Sequence, residues 1–189
     1  MTKDYSIRIL DKIEFEQFFE EHKELLAEDV HAYSDKDMHS IIGCSNADTA
    51  TENTIDVYEL RLGAFNHNNE FVGWTWGRQE NATTFYMINS AVLKEYRGKG
   101  IYHALLNHCV EEVSKKGFDL IYSRHCATNN AIIIPKLKAG FIISKMEISD
   151  KYGVLIHLHY YTNELRKKIM DYRSGQSKPN DIMKSLFKI

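Results

Sequence analysis

Cysteine is scarce in this sequence, and the placement of the few thiols excludes a disulfide-stabilised fold. Only three cysteines, Cys44, Cys109 and Cys126, occur in 189 residues, and no two of them form a C-x-x-C pair. Small secreted scaffolds depend on a dense, even-numbered set of cysteines. An odd number of scattered thiols fits a reducing compartment, so the sequence predicts a cytoplasmic protein.

Long apolar runs and an excess of one charge are also missing. No window approaches the length of a membrane span, and the start, MTKDYSIRIL, lacks the apolar core of a signal peptide. The 24 basic and 26 acidic residues give a net charge of −2, which argues against a broad basic surface for nucleic acid. We therefore expect neither a membrane nor a nucleic-acid partner.

A metal site is not expected either. His157 and His159 are two residues apart on a predicted strand and therefore share a face, which could begin a metal site. No third ligand accompanies them at a spacing typical of zinc sites. A surface or groove pair is the simpler interpretation.

The residues that are present predict one well-packed domain. A hydrophobic share of 43% and a length of 189 residues suit a single buried core. Period-two and helical patterns alternate along the chain. Strands are predicted at 6–10, 54–66, 70–79, 84–93, 118–126, 141–149 and 153–161, and helices at 12–29, around 37–42, about 100–116, 129–140 and 165–173.

This order predicts an α/β fold with a single mixed, mostly antiparallel, twisted sheet and helices on both faces. A run of antiparallel strands leads into a β-α-β crossover, which requires one parallel pair. We place the domain at residues 5–162 and assign 163–189 to a basic C-terminal helix and tail. That last segment holds seven basic and three acidic residues from Glu164 onward, which a solvated helix face explains without a partner.

The segment VLKEYRGKGIYHALL (92–106) places Arg-Gly-Lys-Gly between a strand and a helix. The first amides of a helix have no partner in the helix, and its dipole makes that end partly positive. Such an end binds anions readily. The spacing Gly98-x-Gly100 matches neither the Walker loop nor the dinucleotide-binding fingerprint. On this evidence alone, a plain turn remains an alternative to a phosphate cradle.

Two segments together resemble the GNAT family of N-acetyltransferases. The family's coenzyme A segment reads [Arg/Gln]-x-x-Gly-x-[Gly/Ala] after an apolar strand, and Arg97 and Gly100 match it, whereas Tyr102 replaces the small residue. The later segment NNAIIIPKLKAGF resembles a second family motif, with Asn129 about eleven residues before Gly140. The resemblance covers roughly residues 5–162 and includes the predicted order of elements.

The resemblance implies acetyl-CoA, or another acyl-CoA, as the bound donor. Main-chain amides of Arg97, Gly98, Lys99, Gly100, Ile101 and Tyr102 would hold the pyrophosphate. Ala91 and Val92 would pair with the pantetheine arm, and Asn129 would contact the same arm. The acyl carbonyl would lie where strands 84–93 and 118–126 splay apart, polarised by a strand N–H.

The family's usual acid and base are absent from this sequence. Many members carry a Tyr four residues before the Gly-Phe, where Lys136 stands here, and a Glu at positions that fall on Arg124 or Tyr86. The remaining base candidates are His125, which has a suitable intrinsic pKa, and Tyr86. Strand alternation places His125 on the face opposite Arg124. A water relay remains open as a third possibility.

Two interpretations of Arg124 and Lys136 remain open. In the simpler one, Lys136 lies on the helix surface and Arg124 pairs with a nearby carboxylate. In the other, both side chains point to the acyl end as substrate-binding groups, which would favour an acceptor that carries a carboxylate or a phosphate.

The sequence therefore predicts an acyl-CoA-dependent N-acetyltransferase that acts on a small-molecule or peptide amine by direct attack. A non-catalytic acyl-CoA-binding module and a transferase of longer acyl groups are the alternatives. The polar loop 30–53 and the hairpin at 66–69 are expected to border the acceptor site. The strand pair 141–161 could supply the edge of a homodimer.

Overall fold

The computed structural model of the chain describes residues 4–23 and 57–189. In these two ranges, seven strands form one sheet, with five α-helices and a short 3-10 helix at Lys94–Tyr96. The strands are β1 (Tyr5–Ile9), β2 (Glu59–Asn66), β3 (Phe71–Asn81), β4 (Thr84–Val92), β5 (Leu120–Cys126), β6 (Ile142–Ser149) and β7 (Gly153–Tyr161), and the helices are α1 (Lys12–His22), α2 (Ile101–Lys115), α3 (Asn130–Lys138), α4 (Glu164–Arg173) and α5 (Asp181–Phe187).

The sheet has the strand order β1-β2-β3-β4-β5-β7-β6. Every neighbouring pair is antiparallel except β4 and β5, which the crossover through α2 makes parallel. The predicted mixed, mostly antiparallel α/β fold is confirmed. The predicted loop 30–53, the short helix around 37–42 and the far end of helix 12–29 lie outside the described residues.

Two apolar clusters cover opposite faces of the sheet. On one face, which we call the α2 face, α2 buries Ile101, Leu105, Cys109 and Val113 against Phe85 and its strand neighbours. On the other, the α1 face, Phe15 of α1 packs with Phe65, Phe71 and Trp74. Alternation along β2 places Leu62 and Ala64 in one cluster and Phe65 in the other. In β3 the irregular pairing opposite Ala64 and Phe65 lets Val72 and Trp74, two residues apart, join opposite clusters.

The sheet opens into a fork between β4 and β5. These strands pair only at Thr84–Leu120, Phe85–Ile121 and Tyr86–Tyr122. Beyond Tyr86, β4 stays attached to β3 as far as the Gly73–Val92 pair, whereas β5 continues beside β7. The predicted splaying of the two strands is confirmed, and it leaves one edge of β4 without a strand neighbour among the described residues.

The structure corrects one local expectation and locates Pro135. Pro135 lies in the interior of α3, beyond its first turn, where it removes one backbone donor. The C-terminal segment contains a second helix, α5, which Asn180 caps through its side chain and which buries Met183. None of the helices in the described part of the chain is long and apolar enough to cross a membrane.

Candidate active site

A cavity of about 700 Å³ runs from the turn after β4 to the fork between β4 and β5. Its walls come from β4, the first turn of α2, the end of β5, α3 and the β6–β7 hairpin. It is lined by Tyr86, Met87, Ile88, Asn89, Ser90, Ala91, Val92, Tyr96, Arg97, Gly98, Gly100, Ile101, Tyr102, His103, Arg124, His125, Cys126, Asn129, Ala131, Ile132, Pro135, Lys136, Tyr152 and Leu155.

The cavity collects nearly all of the residues that the sequence placed at a coenzyme site. Of that group, Lys99 alone does not line it. Its Nζ lies 4.9 Å from the centre of the Tyr96 ring. Sequence reasoning missed Asn89, Ser90 and His103, although each lies within two residues of a predicted one. It also missed Ser123, which is fully buried and has no signature in a strand pattern.

Gly98 and Gly100 are required by backbone conformation at the turn. Their φ angles are 76° and 80°, in the left-handed region that favours glycine. Gly100 is the N-cap of α2, and the first hydrogen bond of the helix runs from the Ala104 N–H to the Gly100 carbonyl at 3.1 Å. The three helical amides before Ala104 therefore have no acceptor within the helix.

The two helices that border the cavity begin without a side-chain cap. Neither Gly100 at the start of α2 nor Asn129 at the start of α3 supplies one, and Asn129 lines the cavity instead. By contrast, Asp11, Asn163 and Asn180 cap the other three described helices. The first turn of α2 can therefore donate hydrogen bonds to an anion in the cavity.

Arg97 holds the turn in place with its side chain. Its Nε donates to the Val92 carbonyl at 3.0 Å, which ties the turn back to the end of β4. The Leu93 N–H donates to the Val72 carbonyl in β3. Because backbone groups alternate in direction along a strand, the N–H and carbonyl of Val92 point away from β3. An extended ligand along this edge can pair with Val92 as an added strand would.

Tyr102, where the family motif has a small residue, packs against the main core. Its hydroxyl is buried and has no hydrogen-bond partner among the described residues, and burial raises the pKa of this phenol. The side chain thus lies inward beneath the turn. Its backbone N–H is one of the three amides without a helical acceptor.

Lys136 is almost completely buried, with 1% of its surface exposed. Its Nζ donates to Ser123 Oγ at 2.6 Å and lies 3.6 Å from Met87 Sδ. No carboxylate pairs with it in the part of the chain that the structure describes. Burial lowers the pKa of this amine to about 7, which the nearby Cys109 thiol counteracts only in part.

The expectation that Lys136 lies on the helix surface is therefore wrong. Lys136 follows Ile133 by three residues, and both side chains belong to the inner stripe of α3. That stripe packs over the gap that the fork leaves in the sheet. The position is buried by the packing of α3, even though the residue type favours solvent.

His125 lies on the face of β5 opposite Arg124, as strand alternation predicted. It shares the α2 face with Ser123, and its Nε2 lies 3.0 Å from Ser123 Oγ. Burial, together with the neighbouring Lys136, lowers the pKa of the imidazole to about 2. The ring is neutral at physiological pH, and its part as a base stays a prediction.

Arg124 and Tyr86 meet on the α1 face at the mouth of the fork. The guanidinium Nε and Nη2 each lie 3.4 Å from the Tyr86 hydroxyl, and Nη1 lies 3.6 Å from Glu147 Oε1. The expected pairing of Arg124 with a carboxylate is thus confirmed. Its hydrogen bond to Tyr86 raises the pKa of Arg124. The Tyr86 ring stacks on Tyr122 at a centroid distance of 4.7 Å.

His157 and His159 share a face of β7, as predicted, and His157 Nε2 lies 2.6 Å from Glu147 Oε2. Within residues 4–23 and 57–189, no group of three His, Cys, Asp or Glu side chains could hold a metal ion. His157 instead extends the polar network of Arg124 through Glu147, whereas the buried Nδ1 of His159 has no hydrogen-bond partner among the described residues.

Residues 9–141 match the acetyltransferase (GNAT) family model. Comparison of the sequence with those of curated proteins gave no significant match. Among solved structures, the ribosomal-protein-S18-alanine N-acetyltransferase from Escherichia coli is 17% identical, with 84% of this chain and 94% of that chain covered and a TM-score of 0.59.

Two further structures have the same fold. The yncA protein from Salmonella typhimurium, a putative acetyltransferase solved with its cofactor acetyl-CoA, is 15% identical over 85% of this chain and 95% of that chain, with a TM-score of 0.62. A mutant of the spermidine N-acetyltransferase SpeG from Vibrio cholerae is 12% identical over 89% of this chain and 99% of that chain, with a TM-score of 0.60. At sequence identities of 12% to 17%, the similarity to these three structures shows a shared fold and nothing more specific.

Proposed function

Because this chain belongs to the acetyltransferase (GNAT) family, we propose that it transfers an acetyl group from acetyl-CoA to an amine by direct attack. The donor thioester lies in the fork between β4 and β5, and the acceptor amine approaches from the α1 face. No acyl-enzyme intermediate is needed, because a neutral amine attacks a thioester directly.

The observation that carries this proposal is the cavity that joins an uncapped helix start to the fork. The turn at 97–102 offers main-chain amides to a diphosphate, and Gly98 and Gly100 give it the required backbone conformation. The edge of β4 at Ala91 and Val92 accepts the pantetheine arm as a strand. We assign Asn129, which also lines the cavity, to the same arm.

Charged and polar groups at the fork suit the chemistry of acyl transfer. Nucleophilic attack by an amine releases a proton, and the departing thiolate needs one. Lys136 and His125 reach the cavity from the α2 face, and Tyr86 reaches it from the α1 face. We assign His125 or Tyr86 to the amine's proton and Lys136 to the thiolate.

Arg124 is the group that we expect to select the acceptor. Its side chain is 38% exposed at the mouth of the fork and is held by Glu147 and Tyr86. A carboxylate or phosphate on the acceptor would compete with Glu147 for the guanidinium. Small-molecule and peptide amines are both compatible with this opening.

A screen of amines with CoA release as the readout tests the proposal. The panel should include spermidine and a peptide with an N-terminal alanine, because structural neighbours are named for these acceptors. It should also include amines that carry a carboxylate or phosphate. Turnover of acetyl-CoA with at least one amine is expected, with the acetylated product identified by mass spectrometry.

Calorimetric titration with CoA separates the alternatives. Binding of CoA without turnover of any amine would favour a non-catalytic acyl-CoA-binding module. Faster thiol release from longer acyl-CoAs than from acetyl-CoA would favour a different donor. A homodimer through the edge strand β6, if present, would be detected by sedimentation of the same samples.

A further inference from the structure

Two titratable side chains on the wall of the cavity are joined by a buried hydroxyl. We propose that His125, Ser123 and Lys136 form a proton relay that carries the acceptor amine's proton to the sulfur of the leaving CoA. This inference rests on the proposed function, because it assigns a proton path to that reaction. In this relay Ser123, which does not line the cavity, positions the other two groups and passes a proton between them.

The geometry of the three groups is that of a continuous hydrogen-bond chain. Lys136 Nζ lies 2.6 Å from Ser123 Oγ, and His125 Nε2 lies 3.0 Å from the same oxygen. Ser123 is 0% exposed, so water does not compete for its hydroxyl. Lys136 and His125, at the two ends, both line the cavity.

A serine hydroxyl can donate one hydrogen bond while it accepts others, so the chain has two directions. When Lys136 is an ammonium, it donates to Ser123 Oγ, and Ser123 donates to the unprotonated Nε2 of His125. When Lys136 is neutral, Ser123 can donate to its lone pair, and Nε2–H of His125 then donates to Ser123. Switching between the two arrangements moves one proton across each link.

The surroundings of Lys136 leave it free to change charge. The titratable groups around it are the Cys109 thiol from α2, with the Tyr102 hydroxyl beside that thiol, and the His125 imidazole from β5. Met87 and Phe141 supply apolar contacts, with Nζ 5.0 Å from the Phe141 ring centre. Among the described residues, no carboxylate pairs with Lys136 to stabilise its ammonium form. A small change in the cavity can therefore shift Lys136 between its protonated and neutral forms.

The relay closes the proton balance of acetyl transfer. The amine nitrogen attacks the thioester carbon, the C–N bond forms, and the C–S bond breaks with its electron pair going to sulfur. The amine's proton passes to Nδ1 of His125, the Nε2 proton passes to Ser123 Oγ, and the Ser123 proton passes to neutral Lys136. Lys136 gives a proton to the sulfur, and exchange with solvent restores the starting tautomer of His125.

This concerted path explains how His125 can accept the amine's proton even though burial strongly lowers the pKa of its imidazole. His125 gains one proton as it loses another, so the ring never carries a full charge in its buried position. A stepwise base at this site would have to become an imidazolium, which burial disfavours.

The test is the tautomer of His125, read from the nitrogen chemical shifts of its ring in labelled protein. In the wild-type protein we expect the proton to move from Nδ1 to Nε2 as Lys136 titrates, with the same midpoint as the Lys136 signal. Ser123→Ala should abolish this exchange while Lys136 still titrates. Lys136→Met should also abolish the tautomer exchange of His125. This second variant keeps the relay testable if Ser123→Ala folds poorly.

Ser144→Ala is the matched control, because that hydroxyl donates to the His157 carbonyl at 3.2 Å, away from the cavity, and the exchange should persist. A wild-type tautomer that stays constant through the Lys136 titration would overturn the relay. So would an unchanged exchange in Ser123→Ala. The measurement needs no amine acceptor, so its failure is distinct from a failure of the amine screen, which would count against the proposed function.

Discussion

Arg124 and Lys136 reach the fork between β4 and β5 from opposite faces of the sheet. The Arg124 guanidinium lies 3.4 Å from the Tyr86 hydroxyl on the α1 face, whereas Lys136 Nζ lies 2.6 Å from Ser123 Oγ on the α2 face. The two cations therefore act on different parts of the reaction. Arg124 faces the side where an acceptor can arrive, and Lys136 lies at the buried end of the cavity.

Lys136→Met should stabilise the protein, and the gain should depend on pH. The folded-state pKa of Lys136 is lowered from 10.5 to about 7, so between these values the unfolded state binds more protons. Wild-type stability then rises with pH across this window. The cost of burying a charged Lys136 is fully present below about pH 7. The gain in the free energy of unfolding should be on the order of 5 kcal/mol at the low end and smaller toward the high end.

Denaturant titrations of both proteins at several pH values measure this difference. Lys138→Met is the control, because Lys138 lies on the same helix with its side chain exposed and should show no comparable gain. A stability difference between wild type and Lys136→Met that does not vary with pH would contradict the buried, unpaired amine.

Lys136 should lower the pKa of the CoA thiol in the complex. An ammonium within a few ångströms of the sulfur favours the thiolate, so Lys136→Met should raise the pKa of bound CoA by about 1–2 units. The ultraviolet absorbance of the thiolate, followed through a pH titration of the complex, reports this value. Equal pKa values in wild type and Lys136→Met would show that the sulfur is not beside Lys136.

Gly98→Ala and Gly117→Ala should have similar costs in stability and different effects on coenzyme binding. Both glycines have positive φ angles, 76° and 86°, and an added Cβ meets no atom within 4 Å at either site. Each substitution should cost about 1 kcal/mol through backbone strain. Only Gly98→Ala should weaken CoA binding, by roughly tenfold, since it disturbs amides at the cavity.

Calorimetry with CoA and thermal unfolding of both variants provide the comparison. Gly117 lies at the far end of α2 and serves as the control for strain at a helix terminus. Equal losses of CoA affinity in the two variants would indicate a general effect of destabilisation and would count against the cradle.

Arg124→Glu should remove most of the activity on acceptors that carry a carboxylate or phosphate. The substitution reverses the charge at the mouth of the fork and places it beside Glu147. We expect kcat/KM for such an acceptor to fall by roughly 100-fold, and that for a neutral amine to change much less. Arg166→Glu is the matched control, because Arg166 is similarly exposed (41%) and pairs with Asp119. Unchanged turnover of an acidic acceptor would remove this assignment.

The sequence predicted the elements of the sheet well because their patterns are local. The period-two pattern of GVLIHLHYY set the bounds of β7 at Gly153–Tyr161, and the glycine turn placed the start of α2 within one residue. The resemblance to acetyltransferases was confirmed by the family match over residues 9–141. A turn, a helix start and a strand end all lie within 15 residues of one another at 92–106, so the motif could be recognised without tertiary information.

The burial of Lys136 could not be predicted because it depends on contacts between distant segments. Residue type and the position of Pro135 indicated only a helix with basic residues near its end. The packing of α3 over the fork, which is set by the shortness of the β4–β5 pairing, makes the position interior. The link through Ser123 likewise requires knowledge of which face of β5 meets α3.

The second C-terminal helix was missed for another reason. The sequence predicts only one basic helix and a tail for residues 163–189, and residues 181–187 form a short segment after Pro179. The helix forms because Asn180 caps it and Met183 is buried, with 2% exposed. Neither contact has a clear periodic signature in so short a segment.

The central claim is that the amides of the turn at 97–102 hold the diphosphate of an acyl-CoA. A crystal structure of the protein grown with CoA tests it most directly. We expect diphosphate oxygens within hydrogen-bond distance of main-chain N–H groups of Gly98, Gly100 and the first turn of α2, with the thiol at the fork beside Lys136. CoA bound at another surface, with these amides facing only solvent, would contradict the account.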